Sequence, residues 1–186
     1  MTTAARSADH DFRLLAVLRN GTPVTIRVMR PDDKDRLVAA FANLDPQSVY
    51  VRFFSFQKEL PERALNRIDQ IDFVHLLGLV ATVGSGSEEV VIGSSTYVAD
   101  LAADGVRAAE VAFTVEEDYQ GQGLAGRLFE AAAGIARRHG IRRFTADVLA
   151  DNAPMLKVFE RSGLPMRRRR ESGVIHLELE LGREGR

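Results

Sequence analysis

Apolar and polar positions along this chain alternate with a period of two in most apolar stretches and switch to a period near 3.6 in a few others. Both patterns meet between residues 110 and 139. In 110–115, Val111, Phe113 and Val115 alternate with Ala112 and Thr114, which predicts a strand with little polarity on either side and a place inside a sheet. Leu124, Leu128, Ala131, Ala132, Ile135 and Ala136 then recur at helical spacing, while Arg127, Glu130, Arg137 and Arg138 fall elsewhere. That spacing predicts an amphipathic helix from Gly123 or Leu124 to His139, with Gly140 as its stop. Between strand and helix, Gln120-Gly121-Gln122-Gly123-Leu124-Ala125-Gly126 lets the backbone approach a ligand closely, and the first N–H groups of the helix point outward there. The natural occupant of such a turn is an anion, most simply a pyrophosphate; a tight connection without a ligand is the alternative. No G-x-G-x-x-G follows the strand in the required register and no Gly-Lys-Ser/Thr follows the loop, which disfavours the two nucleotide-binding folds that use those motifs.

The same reading lays out the rest of the chain. Residues 1–11 are small and polar and are expected to be a disordered tail, followed by a single domain over 12–182. Residues 12–29 read as two short edge strands around Arg19-Asn20-Gly21-Thr22, because Asn-Gly is a strong hairpin signal. Pro31-Asp32-Asp33 opens a helix with an acidic first turn, carrying Leu37, Val38, Ala40 and Phe41 on its apolar side. Pro46 starts a second, aromatic helix through Val49, Tyr50, Phe53 and Phe54, whose rings either pack on the sheet or line an acceptor pocket. A third helix is predicted over 61–71. A meander of antiparallel strands follows at 75–83, 90–98 and 107–115, turned by 84–89 and by Ala103-Asp104-Gly105. The strand at 144–149 must run parallel to 107–115, because a helix joins them. Asp151-Asn152-Ala153-Pro154 caps a helix that runs to Arg161 and stops at Gly163, and 166–170 with 174–181 form a closing hairpin. The sum is an α+β fold with a mixed, mostly antiparallel sheet of about 6–7 strands flanked by about 4–5 helices.

Composition narrows the chemistry. A chain of 186 residues fits one proper core, and a net charge of −1 gives no bulk attraction to nucleic acid or anionic membranes. The run Arg167-Arg168-Arg169-Arg170 lacks interleaved aromatics and reads as a strand with a solvated edge, so no nucleic-acid partner is expected. The absence of cysteine excludes disulfides, thiolate nucleophiles and thiolate metal sites, and no metal is expected. Neither an apolar leader core nor a stretch near the roughly 18 apolar residues of a membrane span occurs, so the expectation is a cytoplasmic protein without a membrane partner.

Two motifs carry a family resemblance. Gln120-Gly121-Gln122-Gly123-Leu124-Ala125 resembles the Q/R-x-x-G-x-G/A signature of the GCN5-related N-acetyltransferases (GNAT), placed after the fourth core strand and at the start of the third helix as in that family. The stretch from Asn152 to Leu164 is similar to the family's Asn-x-x-Ala-x-x-(Leu)-Tyr-x-x-x-Gly-Phe helix, with Met155, Phe159 and Leu164 as departures. The segments 26–33 and 44–54, with AEVAFTVEEDYQGQG and DNAPM, resemble the bacterial protein-lysine acetyltransferase branch, in particular the acetyltransferase domain of the cyclic-AMP-regulated mycobacterial enzymes. This chain has no room for a cyclic-nucleotide domain, so control by cyclic AMP is not expected of it.

The resemblance implies an acetyl-CoA-dependent N-acetyltransferase of the GNAT fold, working by direct attack in a ternary complex. Its acceptor would be a protein lysine, for example of an acyl-CoA synthetase, in a monomer or homodimer. A small-molecule amine acetyltransferase and a catalytically weak acyl-CoA sensor are the alternatives. Pantetheine would pair with the backbone of Phe113, Thr114 and Val115, which would also offer an N–H to the thioester oxygen. The pyrophosphate would sit on the loop of Gln120, Gly121, Gln122, Gly123, Leu124, Ala125 and Gly126, and Asn152 would be shared between capping its helix and a contact to pantetheine. Glu110 matches the general base of the lysine-acetylating relatives, and a carboxylate opening an apolar strand is expected to be desolvated, with a raised pKa. Glu116 and Glu117 read as a solvated turn that could attract a cationic substrate. Neither His75 nor His139 is assigned to catalysis. Phe159 stands where many relatives carry a tyrosine as general acid.

Overall fold

The computed structural model describes residues 9–53 and 57–182. Eight strands form one sheet: β1 Arg13–Val17, β2 Pro23–Val28, β3 Leu76–Val83, β4 Val90–Leu101, β5 Arg107–Val115, β6 Arg143–Leu149, β7 Met166–Glu171 and β8 Val174–Glu180. Among the described residues, the helices with given bounds are α1 Lys34–Ala42, α2 Pro46–Phe53, α3 Glu62–Asn66, α4 Leu124–Arg138 and α5 Ala153–Arg161. The spatial order is β1-β2-β3-β4-β5-β6-β8-β7, so the last strand inserts between β6 and β7. Every pair is antiparallel except β5–β6, which the α4 crossover makes parallel. Counting the N-terminal hairpin and the closing hairpin as full members brings the sheet to eight strands, one more than the upper expectation.

Alternation divides the residues between two faces. On the inner face, Leu77, Leu79, Tyr97, Val111, Phe113, Phe144 and Leu177 pack with Leu124, Leu128, Ala132 and Ile135 of α4 and Phe159 of α5. Phe113, Phe129 and Phe159 meet with ring centroids 5.8 to 6.2 Å apart. The outer face carries a smaller cluster, Met29, Ile68, Val80 and Val91, under Leu37 and Ala40 of α1 and Leu65 of α3. Among the described residues the inner layer is therefore the main core, and the outer layer the smaller one.

Two predicted boundaries shift. The helix expected over 61–71 is α3 followed by a separate 3₁₀ turn at Ile68–Gln70, since Asn66 and Asp69 favour local turns over helix continuation. Asp9, expected in a disordered tail, is buried, with its carboxylate on Arg138 Nη2 at 2.5 Å and His139 Nε2 at 2.6 Å. Asp9 thus ties the start of the described chain to the C-terminal end of α4. Phe54 and the side chain of Phe53, the rings proposed for an acceptor pocket, lie outside the described residues.

An ion pair fixes α1 to the sheet. Arg27 on β2 holds Asp33 through Nη1 and Nη2, both at 2.7 Å, and Glu89 through Nε and Nη2 at 3.1 and 3.0 Å. Burial alone would push the Asp33 carboxyl up; the Arg27 guanidinium and the Arg30 N–H reverse this and hold it below the usual carboxylate range. The pair anchors the turn that launches α1.

Candidate active site

The site is built on the edge that β5 exposes to β6. Their parallel register runs through Ala108↔Arg143, Ala109↔Phe144 and Glu110↔Thr145 and stops, although β5 continues to Val115. Successive peptides of a strand point alternately to its two neighbours. The Glu116 N–H donates to Ile92 O at 3.0 Å, toward β4. Thr114 and Ala112 share that direction, so the peptides of Val111, Phe113 and Val115 face the opening. This refines the expected pantetheine contact: Phe113 and Val115 can offer their N–H groups there, whereas the Thr114 N–H is turned to β4. The Thr114 side chain lies on the outer face instead.

The glycine loop follows directly. Gly121 and Gly123 have φ of 70° and 91°, a conformation that favours glycine, and a Cβ on Gly121 would meet open space. The Arg127 N–H closes the first helical bond on Gly123 O at 3.2 Å, so the Leu124, Ala125 and Gly126 N–H groups have no carbonyl within the helix to bond. The Leu124 side chain is buried in the core, leaving only its backbone for a ligand. Gln120 does not face outward alone: its Nε2 donates to Val115 O at 3.0 Å and Ser48 Oγ at 3.3 Å, bracing the loop against β5 and α2. Free amides, positive φ and the positive end of a 15-residue helix fit a pyrophosphate.

Arg19 is a residue that the sequence reading passed over. From the β1–β2 turn its N–H donates to Gln122 O at 3.2 Å and its Nη1 to Gly121 O at 3.0 Å. The guanidinium therefore stands beside the anion loop, where a cation adds to the amides. The only available signal was its place in a hairpin turn, since pairing over 102 positions is not visible locally.

Glu110 departs from expectation. It is exposed, whereas a carboxylate opening an apolar strand was expected to be desolvated. Its placement still serves chemistry, as the last paired residue before β5 and β6 part. Glu116 departs in the opposite sense. It is half-buried, its Oε2 is sealed from solvent without a hydrogen-bond partner, and desolvation, with the charges of Asp118 and Glu117, raises its pKa. Glu117 accepts the Asp45 N–H at 3.3 Å, so the supposedly solvated turn is fastened to the start of α2.

The Asn152 side chain accepts the Met155 N–H at 3.2 Å, capping α5. Phe159 is buried among Phe113 and Phe129 and holds no proton to donate. His139 is occupied by Asp9, and His75 Nδ1 lies 2.8 Å from Asp72. Among the described residues no group of three or more His, Asp or Glu is arranged to hold a metal ion, and no helix is long and apolar enough to cross a membrane.

Residues 47–164 match the acetyltransferase (GNAT) family. The chain belongs to that family. This makes the domain an N-acetyltransferase domain, of a family whose co-substrate is acetyl-CoA. The chain is similar to acetyltransferase Pat of Mycolicibacterium smegmatis, 32% identical over 88% of this chain and 47% of that protein, so it spans about half the length of that relative. It is 32% identical to acetyltransferase PA5475 of Pseudomonas aeruginosa over 81% of this chain and 78% of that one. Among solved structures, the GNAT domain of S. lividans PAT superposes with a TM-score of 0.80 at 37% identity, covering 90% of this chain and 96% of that one. The Salmonella typhimurium yncA structure, solved with acetyl-CoA, shares the fold with a TM-score of 0.69 at 17% identity, covering 88% and 96%.

Proposed function

We propose that this protein transfers acetyl from acetyl-CoA to a protein lysine, by direct attack of the amine in a ternary complex. The observation that carries the reading is the bare β5 edge between Glu110 and the glycine loop, which presents N–H groups along one line from the amine side to the phosphate side. The lysine acceptor rests on the likeness of 26–33 and 44–54 to the lysine-acetylating branch and on the similarity to Pat. An acyl-CoA synthetase is the example that this resemblance suggests.

In this reading acetyl-CoA supplies an activated acyl carbonyl. The Gln122 to Gly126 amides and Arg19 take its pyrophosphate. The Phe113 and Val115 N–H groups hold the pantetheine arm and polarise the thioester oxygen. Glu110, on the outer face, accepts the amine proton directly or through water. With phenylalanine at 159, water returns a proton to the departing thiolate.

The test is incubation with isotope-labelled acetyl-CoA and a purified acyl-CoA synthetase, followed by peptide mass spectrometry. Labelled lysine with the wild type and its loss with Glu110→Gln are expected. Labelling of small amines alone would move the acceptor to that class, and equal labelling by both forms would remove Glu110 as base.

A further inference from the structure

The outer face also carries a histidine–carboxylate pair that the reaction described so far does not use. His176 Nδ1 on β8 lies 2.6 Å from Asp147 Oδ1 on β6, and the two residues face each other in register. Their neighbours Ala146, Val148 and Leu177 are buried in the inner core, so alternation sets both side chains on the outer face, the face of Glu110. The ring makes no other hydrogen bond among the described residues, and its side chain is 33% exposed, which leaves Nε2 for another partner.

Register places this pair at the split in the sheet. β5 and β6 pair in parallel as far as Glu110↔Thr145 and then part. Asp147 lies two residues past Thr145, about 7 Å further along β6 and on the stretch where the strands have separated. His176 is one strand spacing beyond it, so β8 runs about 10 Å from β5. Glu110 and the pair therefore stand on opposite sides of the opening and on one face, across a gap wide enough for an amine and a water.

Converting an ammonium to an amide removes two protons from one nitrogen. One must go before the lone pair can attack, and the second leaves as the C–N bond forms. Glu110 has room for one at a time. A neutral imidazole whose Nδ1–H is held by a carboxylate presents the Nε2 lone pair, and the carboxylate stabilises the imidazolium that forms. We propose that His176, held by Asp147, takes the first proton from the acceptor ammonium, directly or through one water, and that Glu110 takes the second. The proton moves to Nε2 and frees the nitrogen lone pair, which attacks the thioester carbon. Glu110 gains the second proton as the C–N bond forms, the C–S bond breaks with its electron pair on sulfur, and the thiolate takes a proton from water. His176 and Glu110 then release their protons to solvent, so each turnover liberates one proton net. Asp147 is a positioning residue in this scheme. The proposal rests on the acetyl-transfer reading above.

Among the described residues, the charged groups on the same face around the ring are Asp147 from β6, Glu178 on β8, Arg167 and Arg169 from β7, the latter paired with Glu171, and Glu110 across the split. The experiment measures kcat/KM for the acceptor from about pH 6.5 to about pH 9.5 with the full chain as wild type, His176→Gln and Asp147→Asn. Acetyl-CoA is the donor, with a purified acyl-CoA synthetase in one arm and spermidine in the other. Near pH 7, His176→Gln is expected to lose about 10²-fold while its acetyl-CoA Kd stays unchanged. Alkylammonium groups shed a proton unaided as pH nears about 10, so the deficit is expected to shrink as pH rises, by up to about tenfold per unit. Asp147→Asn is expected to show a smaller deficit that narrows in the same way. A second readout needs no turnover: NMR of the histidine-labelled protein, with the His176 signals assigned by their absence from His176→Gln, is expected to show the Nδ1–H tautomer in the wild type and its loss in Asp147→Asn. A deficit constant with pH, as a purely structural role would give, or a neutral wild-type ring with its proton on Nε2, would overturn the proposal. A wild type that acetylates neither acceptor would fault the functional reading, while the tautomer still decides whether the ring is set to accept a proton.

Discussion

Two carboxylates six residues apart on β5 and its end show how environment assigns roles to identical chemistry. Glu110 lies on bare sheet and Glu116 under helices. The period-2 pattern puts both on the same side of the strand, and that much is readable in the sequence. Which part of that face is covered depends on where α1 and α3 come to rest, and no local pattern encodes that. Glu110→Gln is expected to lower kcat by about 10²–10⁴-fold while leaving the acetyl-CoA Kd unchanged, measured by steady-state kinetics and calorimetry. Arg27 and Asp33 illustrate a purely structural pair, since both are buried and each satisfies the other. Asp33→Ala leaves the guanidinium without its bidentate partner, and urea unfolding is expected to show a loss of about 3–5 kcal/mol. Their partnership with Glu89, 62 positions from Arg27, was not legible either, because nothing in three separated charges marks them as neighbours.

Among the elements, the strand, glycine loop and helix between 107 and 138 were the most legible. The apolar period, the glycines and the helix stop all point to one local structure, and each boundary falls within a residue or two of its prediction. The helix at 61–71 was less legible, because apolar spacing continues past the point where the backbone breaks into a 3₁₀ turn. Within the loop, two glycines serve different ends. Gly123, at φ 91°, needs its conformation, so Gly123→Ala is expected to lose about 1 kcal/mol or more of stability along with acetyl-CoA affinity. Gly126 lies inside α4, and a Cβ there would meet nothing within 4 Å. Gly126→Ala is therefore expected to raise the stability of the ligand-free protein by about 0.5–1 kcal/mol, as alanine favours helix. If the pyrophosphate rests on that turn, the same methyl weakens acetyl-CoA. Thermal melts with and without acetyl-CoA separate the two effects.

Among the described residues a large inner core and a smaller outer cluster lie on the two faces of one sheet. The fold class and the crossover were readable from element order, whereas the insertion of β8 between β6 and β7 was not, because two antiparallel arrangements of the closing hairpin suit the same pattern. Stability should respond to acid through its turn carboxylates. Burial alone would raise the Asp72 pKa; its bonds from His75 and the Val74, His75 and Leu76 N–H groups lower it from 3.8 to about 2. A carboxylate lowered on folding stabilises above its unfolded pKa, so this contribution is complete above about pH 4 and is lost toward pH 2. Asp72→Asn is expected to flatten the acid limb of a Tm-against-pH profile. Acetyl-CoA at 100 times its Kd is expected to add about 2.7 kcal/mol, or roughly 5–10 °C in Tm for a chain of this size. The most direct measurement of the central claim is a crystal structure of the protein with acetyl-CoA. The account predicts pyrophosphate on the 122–126 amides beside Arg19, pantetheine on Phe113 and Val115, and the thioester open to the face that carries Glu110 and Glu116. Acetyl-CoA bound away from the β5 edge, or with its thioester shut off from that face, would contradict it.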